Sequence, residues 1–401
     1  MEKRIVAGIV AEYNPFHNGH LHQIEATRAA GATHIVAIMS GNFVQRGGPA
    51  CAPKFVRANA AVACGADLIL ELPLPYAMAT AERFSYGALS ILGRLGCVDV
   101  LAFGSECGDV ELLIKAAQAV LSPYCSEYTK TLLTKGITYA RARQKSVEKL
   151  YGMEVANVLT SPNNTLAVEY LRQIILQNLK IVPFTIAREG AGHDNASPIG
   201  KIASASHLRN LLDLESVESL EPFVPSAALE IYHSAAKAGL MPFASHSLNT
   251  SLLSSLRTMQ ETDFADLPDI SEGLDHRFYN AVRSAVSMDE LLAKVKTKRY
   301  PLARIRRLMW NAYLRTPSSM FQTPPPYARV LSFNRRGMEL LSEIKSAGSI
   351  PVSHSLAKLE QLGETCKNFA QFESKGTDLY VLGLPTIQTC GNDYRQKITV
   401  R

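Results

Sequence analysis

The sequence predicts an α/β protein: a doubly wound parallel sheet in its first half, a mainly helical second half, and a small α/β piece at the end. Three observations carry this. From residue 5 to about residue 187, short apolar runs alternate with amphipathic stretches of helical length, the pattern of strands joined by crossover helices. The runs are apolar throughout rather than alternating, as strands covered on both faces are. After about residue 213 such runs become rare and helical periodicity takes over.

In order, strands are expected at Ile5–Glu12, Thr33–Met39, Asp67–Leu72, Val98–Phe103 and Ile181–Ala187. Between them the periodicity predicts helices over His20–Ala30, Phe55–Cys64, Thr80–Leu95 and Thr165–Gln177, the first three stopped by Gly31, Gly65 and Gly96. Ser40–Pro53 is a glycine-rich polar loop, and so is Arg188–Lys201. Val110–Gly152 is helical and interrupts the alternation, so an insertion is placed at about 108–158. Later helices are expected at Ser226–Ala238, Ser247–Thr258, Arg277–Ala285, Met288–Lys298 and Ala303–Leu314. The α/β end comprises Arg329–Phe333, a helix near Glu339–Ser346, Pro351–Ser353, a helix over Lys358–Phe372, and Asp378–Gly383. Residues 1–215 are read as one domain, built on the sheet, and 216–401 as a mainly helical domain.

Composition narrows the class. The chain has 401 residues, 47% hydrophobic and 19% charged, with a net charge of +6, which suits a globular protein and permits an anionic partner where the charge clusters. Its apolar runs are broken within roughly ten residues, against the roughly 18 needed to cross a bilayer. Met1–Arg4 shows no signal-peptide pattern. A cytoplasmic protein without a membrane association is expected. Seven cysteines, none in a Cys-x-x-Cys pair, predict reduced thiols rather than a zinc or redox site. His193–Asp194 has no third ligand at a defined spacing, so no metal site is assigned.

Residues 10–23 carry the first candidate site: Val10, Ala11, Glu12, Tyr13, Asn14, Pro15, Phe16, His17, Asn18, Gly19, His20, Leu21, His22 and Gln23. They run from the end of the first strand into the first helix. Two imidazoles three residues apart, beside free backbone N–H groups at a helix N-terminus, suit a phosphate. Gly19 would allow a ligand close to the backbone. The plain alternative is a strand–turn–helix connection with two surface histidines. A second cradle is Ser204, Ser206 and Arg209 at the start of a helix, whose plain alternative is an ordinary N-cap.

Together the two segments resemble the nucleotidyltransferase superfamily, whose Rossmann-like domain opens on His-x-Gly-His and closes on a Ser/Thr-rich helix start with an arginine. Further segments narrow this: Glu12–His20, Met39–Gly47, Pro53–Phe55, Gly65–Pro73, Phe103–Glu106, Ser161–Asn164 and the run from Ile186 to His193. In this order they resemble the bacterial tRNA(Met) cytidine acetate ligase family over essentially the whole chain. The resemblance implies that ATP and acetate give acetyl-adenylate and pyrophosphate. The acetyl group then passes to N4 of the wobble cytidine of elongator tRNA(Met). It also implies that residues 10–23 bind ATP, with Gly104, Asn163 or Asn164, and Arg188, and that Mg2+ enters as the ATP counterion.

Roles can also be read from the residues. His17 and His20 would donate to phosphate, while Gln45, Arg46 and Lys54 follow the second strand at the same sheet edge and could hold acetate or the triphosphate. His17, His20 and Lys54 are the catalytic candidates. Asp67 reads as a structural turn residue. One departure stands out: an acidic residue is expected before Pro49, and the chain has Gly48.

A basic stretch supplies the RNA candidates: Lys294, Lys296, Lys298, Arg299, Arg304, Arg306, Arg307 and Arg315, with no Asp or Glu between the first and last and with Tyr300, Trp310 and Tyr313 interleaved. Cations with aromatics suit a phosphate backbone and stacked bases. The plain alternative is a solvated helix face. The sequence offers two alternatives: a small-molecule adenylyltransferase, which the basic stretch argues against, and a non-catalytic RNA-binding relative, supported only by Gly48.

Overall fold

The computed structural model describes residues 4–188, 200–271 and 273–401. The Gly190–His193 part of the last motif and the His193–Asp194 pair lie outside the described residues. Ten strands form among the described residues: β1 Val6–Ala11, β2 His34–Ser40, β3 Phe43–Val44, β4 Gly48–Pro49, β5 Leu68–Leu72, β6 Val100–Ser105, β7 Val182–Ala187, β8 Ala328–Phe333, β9 Val352–Ser353 and β10 Thr399–Val400. β3 and β4 make a short hairpin inside the glycine-rich loop. The others form one sheet in the order β10-β8-β5-β2-β1-β6-β7, with β9 beside β8.

β5, β2, β1, β6 and β7 are parallel. From β1 the chain moves through β2 to β5, then returns to lay β6 on the other side of β1. The order reverses there, so the crevice at the carboxyl ends of β1 and β6 is the switch point where such sheets bind ligands. The apolar runs are explained by burial on both faces. Ile35, Ala37 and Met39 of β2 pack on one helical layer, and Val36 and Ile38 on the other. The first layer holds the helices Asn18–Ala29, Lys54–Ala63, Ala205–Leu214 and Ser226–Lys237. The second holds Ala81–Arg94, Pro162–Leu176 and Arg335–Ala347. The expected insertion is four helices: Val110–Leu121, Pro123–Thr134, Tyr139–Tyr151 and Met153–Asn157.

Residues 216–401 divide between two places. The helices from Asn249–Arg257 to Leu302–Leu314 enclose a core of their own, including Phe264, Phe278, Leu291 and Ile305, which the hairpin residue Phe43 joins. The α/β end is built onto the main sheet, because β8 pairs antiparallel with β5, placing Arg329 opposite Glu71. β9 and β10 then add to β8 in parallel. Asp378–Gly383 is not a strand. A single helix continues from Glu364 to Tyr380, followed by a 3-10 turn over Val381–Gly383, because Phe369, Phe372 and Tyr380 keep helical spacing and are all buried.

Two buried polar groups tie strand ends together, Arg57 at the carboxyl edge of the sheet and Asp67 at its amino edge. Arg57 is fully buried; it donates to the carbonyls of Ala52 at 2.9 Å and Ser40 at 3.1 Å, and to those of Glu12 and Gly41. One guanidinium thus satisfies carbonyls at the ends of both β1 and β2. Asp67 accepts from the Ile35 N–H at 2.7 Å and pairs with Arg28 at 2.5 Å, a structural role.

Candidate active site

At the switch point a cavity of about 320 Å³ is lined by Val10, Ala11, Glu12, Tyr13, Asn14, His17, His20 and Gln23, with Gly104, Asn163, Arg188, Ser204, Ser206 and Arg209. A side recess of about 60 Å³ adds Gly19 and His22. The two signatures meet directly: Arg209 Nη1 donates to the Asn14 carbonyl at 2.9 Å, and Arg209 Nη2 to Ser206 Oγ at 3.1 Å. Arg46 reaches the same hydroxyl at 3.3 Å. Ser204 accepts the His207 N–H at 3.2 Å and caps its helix.

The backbone donors anticipated at the first helix are already engaged. The Asn18 N–H donates to the Phe223 carbonyl at 2.9 Å, the Gly19 N–H to His17 Nδ1 at 3.0 Å, and the His20 N–H to the His17 carbonyl at 2.8 Å. The His17 N–H donates to His20 Nδ1 at 3.2 Å. The donors left for a ligand at this turn are therefore side chains. Gly19 is needed for a different reason from the one expected: a Cβ there would lie 2.9 Å from His17 Cε1.

These bonds fix the chemistry of the two rings. They stack with centroids 3.8 Å apart, and Tyr13 packs edge-on against His20 at 5.0 Å. Burial pushes His17 down to about 3, helped by the charges of Arg188 and Arg209. Burial, then His17 and Arg188, hold His20 well below its ordinary value. Both imidazoles are thus neutral, and each Nδ1 accepts a backbone N–H. The proton of each then sits on Nε2, leaving an Nε2–H donor for a ligand.

A pH effect on stability follows. Above the ordinary value of 6.5 both states are unprotonated and the histidines contribute fully. Below it the unfolded chain binds protons that the folded chain refuses, so stability falls with pH, by up to about 1.4 kcal/mol per pH unit for each histidine. The denaturant midpoint should drop between about pH 7 and about pH 5, and drop less in His17→Gln. Equal pH dependence in the two proteins would show that His17 is not held neutral.

Other predicted residues divide. Glu106 accepts from the N–H of Asn163 at 3.1 Å and of Asn164 at 2.7 Å, while Asn164 Oδ1 accepts from the Glu106 N–H at 2.8 Å. Asn164 is buried in this interlock, and Asn163 is left on the cavity wall. Phe16 lies in the core, Leu21 packs against it, and the Asn18 amide donates to the Lys201 carbonyl at 2.9 Å. Those three, with Pro15, do not line the cavity.

Lys54 must be reassigned. It is fully buried behind the loop, 2.6 Å from Glu71 and 2.8 Å from Asp393, with Glu373 at 3.7 Å. Its position after the second strand is as expected, but its side chain points away from the cavity. Reading the sequence also missed the apolar wall: Phe84, Phe103, Leu166 and Tyr170. Their periodicity marks core, and only the fold shows that they end at a cavity.

The basic stretch is less free than its sequence suggests. Acids meet it: Asp269, from an earlier segment, lies 3.0 Å from Arg307 and 3.6 Å from Arg304, Asp263 lies 3.7 Å from Arg315, and Glu290, one turn before Lys294 on the same helix, lies 2.8 Å from it. Tyr300, Trp310 and Tyr313 are buried, so they are not stacking platforms for bases. Lys296, Lys298, Arg299 and Arg306 are exposed.

The family described as HIGH Nucleotidyl Transferase matches residues 4–395. A tRNA(Met) cytidine acetate ligase of Thermoanaerobacter sp. (strain X514) is 36% identical over 397 residues, covering 97% of this chain and 98% of the relative. This chain belongs to the tRNA(Met) cytidine acetate ligase family. Two crystal structures of Thermotoga maritima TmcAL agree with the fold. The apo form superposes with a TM-score of 0.94 at 30% identity, and the form bound with alpha-thio ATP with 0.92 at 29%; each covers 99% of this chain and 100% of the other. Members of this ligase family thus share the whole architecture described above, helical half included. Among the described residues, no helix is long and apolar enough to cross a membrane, and no group of three or more His, Cys, Asp or Glu could hold a metal.

Proposed function

We propose that this chain is an ATP-dependent ligase that activates acetate as acetyl-adenylate and acetylates N4 of the wobble cytidine of elongator tRNA(Met). The observation that carries the site assignment is the bond from Arg209 to the Asn14 carbonyl, which closes two distant signatures around one cavity. An acetate oxygen attacks the α-phosphorus, the bond to the bridging β-phosphate oxygen breaks, and pyrophosphate leaves. The cytidine N4 then attacks the acetyl carbon, AMP leaves with the bonding pair, and one N4 proton passes to solvent.

His17 and His20 donate from Nε2 to the phosphates, and Arg46, Arg188 and Arg209 offset the triphosphate charge. Fixed donors of this kind need little rearrangement as charge develops. The donor set is mainly cationic, with Glu12 the carboxylate on the wall. This fits a Mg2+ ion carried in by the nucleotide, where it would neutralise phosphate charge, rather than one held by the protein. The exposed cations Lys296, Lys298, Arg299 and Arg306 suit the phosphates of the RNA. We place the protein in the cytoplasm, with its ATP and tRNA.

Gly48 lies outside this cavity, and a Cβ there would be 3.7 Å from Trp310 Nε1. The departure therefore leaves the phosphate-binding wall intact, which favours an enzyme over a non-catalytic relative. Purified protein should exchange labelled pyrophosphate into ATP only when acetate is present. Exchange without acetate, or none with it, would contradict the proposal.

A further inference from the structure

A second cavity of about 530 Å³ lies between the sheet and the helical half. Glu12, Asn14, Arg46, Ser206 and Arg209 line both it and the first cavity, so the two are joined at the phosphate end of the site. Its far wall comes from the helical half and includes Asn249, Asp289, Arg306 and Trp310. The loop forming its floor is docked on the helix Leu302–Leu314. Gly47 takes φ +82°, and a Cβ there would lie 2.5 Å from the Arg307 backbone nitrogen. No side chain can stand between loop and helix at that point.

We infer that this second cavity receives the acceptor base, extruded from its RNA loop, with Asn210 and Asp213 facing the polar edge of the base and Arg306 at the adjoining backbone. The inference rests on the ligase reading above and adds where its second substrate sits. Three observations support it. The volume lies within the range of small-ligand pockets. Asn210 and Asp213 lie on the helix that also carries Ser206 and Arg209, so a base held by them is next to the acyl-phosphate. A carboxylate accepts from the exocyclic amine of cytosine, and an amide pairs with a base edge. Arg306 is exposed and comes from the basic stretch, which places a cation where the RNA backbone would enter.

The two half-reactions separate this inference from the reading it rests on. Asp213→Asn and Asn210→Ala remove base contacts, and Asn249→Trp fills the cavity from an exposed position. Each should keep acetate-dependent pyrophosphate exchange within about twofold of the wild type. Acetyl transfer to a tRNA(Met) transcript should fall at least about tenfold, the loss expected for one base contact, with the KM for RNA raised in the two contact variants. Transfer unchanged in all three would overturn the inference while leaving the ligase reading in place, and so would exchange falling in parallel with transfer. Failure of the wild type to catalyse exchange would instead overturn the ligase reading.

Discussion

Replacing His20 by alanine should lower the rate of acetate-dependent pyrophosphate exchange by about 10²–10³-fold, the loss seen when one fixed donor to a developing anion is removed. The ring is positioned by three independent contacts: the His17 N–H on Nδ1 at 3.2 Å, the stacked His17 ring, and the edge of Tyr13. These hold its Nε2–H toward the cavity without help from substrate, so the donor is in place before charge develops. The loss should fall mainly on the maximal rate, with a smaller rise in the KM for ATP, because a contact that strengthens in the transition state acts on turnover. His20→Gln keeps an N–H donor and should recover part of the activity. His17→Ala should cost as much in rate and also some stability, since His17 caps the helix through the Gly19 N–H. Exchange within about threefold of wild type in a folded His20→Ala protein would remove the histidine from the chemistry, since a donor worth the usual amount costs far more.

The second large effect is on folding. Lys54→Met should lower stability by about 3–5 kcal/mol, the usual consequence of leaving buried charges without a partner. Lys54 and Arg329 face Glu71, Asp393 and Glu373, all five nearly inaccessible to solvent. Burial, then the neighbouring Glu71, pushes the Glu373 carboxyl well up, which favours its protonated form. Removing Lys54 leaves these buried carboxyl groups with one guanidinium, that of Arg329. The cluster also ties the last part of the chain to the sheet, since Asp393 is 339 residues from Lys54. A urea titration checks this. A loss below about 1 kcal/mol, or normal stability with abolished exchange, would return Lys54 to the chemical role its position in the sequence suggests.

Lys54 illustrates what the sequence could and could not tell. The strand–turn–helix of residues 10–23 was legible because its logic is local: an apolar run, a turn with Pro15 and Gly19, and histidines three apart. The doubly wound order was legible because strands buried on both faces have no polar alternation. The direction of the Lys54 side chain depends on Glu71, Glu373 and Asp393, and two of these lie more than three hundred positions away. The same holds for Arg57, whose importance comes from four carbonyls in separate loops. The pairing of the basic stretch was hidden for a related reason. Its own segment has no acids, but Asp263 and Asp269 arrive from an earlier part of the chain and Glu290 from one helical turn upstream, and its aromatics keep the helical spacing of a core face. β8 reads as a strand, yet nothing in residues 328–333 says that it will pair with β5. Pairing across such a separation is set by how the helical half packs, not by local pattern.

In the proposed reaction one cavity, closed by the His17–His20 turn and the Ser204–Arg209 helix start, activates acetate for transfer to RNA. The most direct test is to incubate the protein with ATP, isotopically labelled acetate and a tRNA(Met) transcript, then digest the RNA and analyse its nucleosides by mass spectrometry. The expected product is N4-acetylcytidine carrying the label at the wobble position, dependent on ATP and lost in His20→Ala. Unlabelled or absent acetylcytidine from a protein that binds both ATP and the transcript would contradict it.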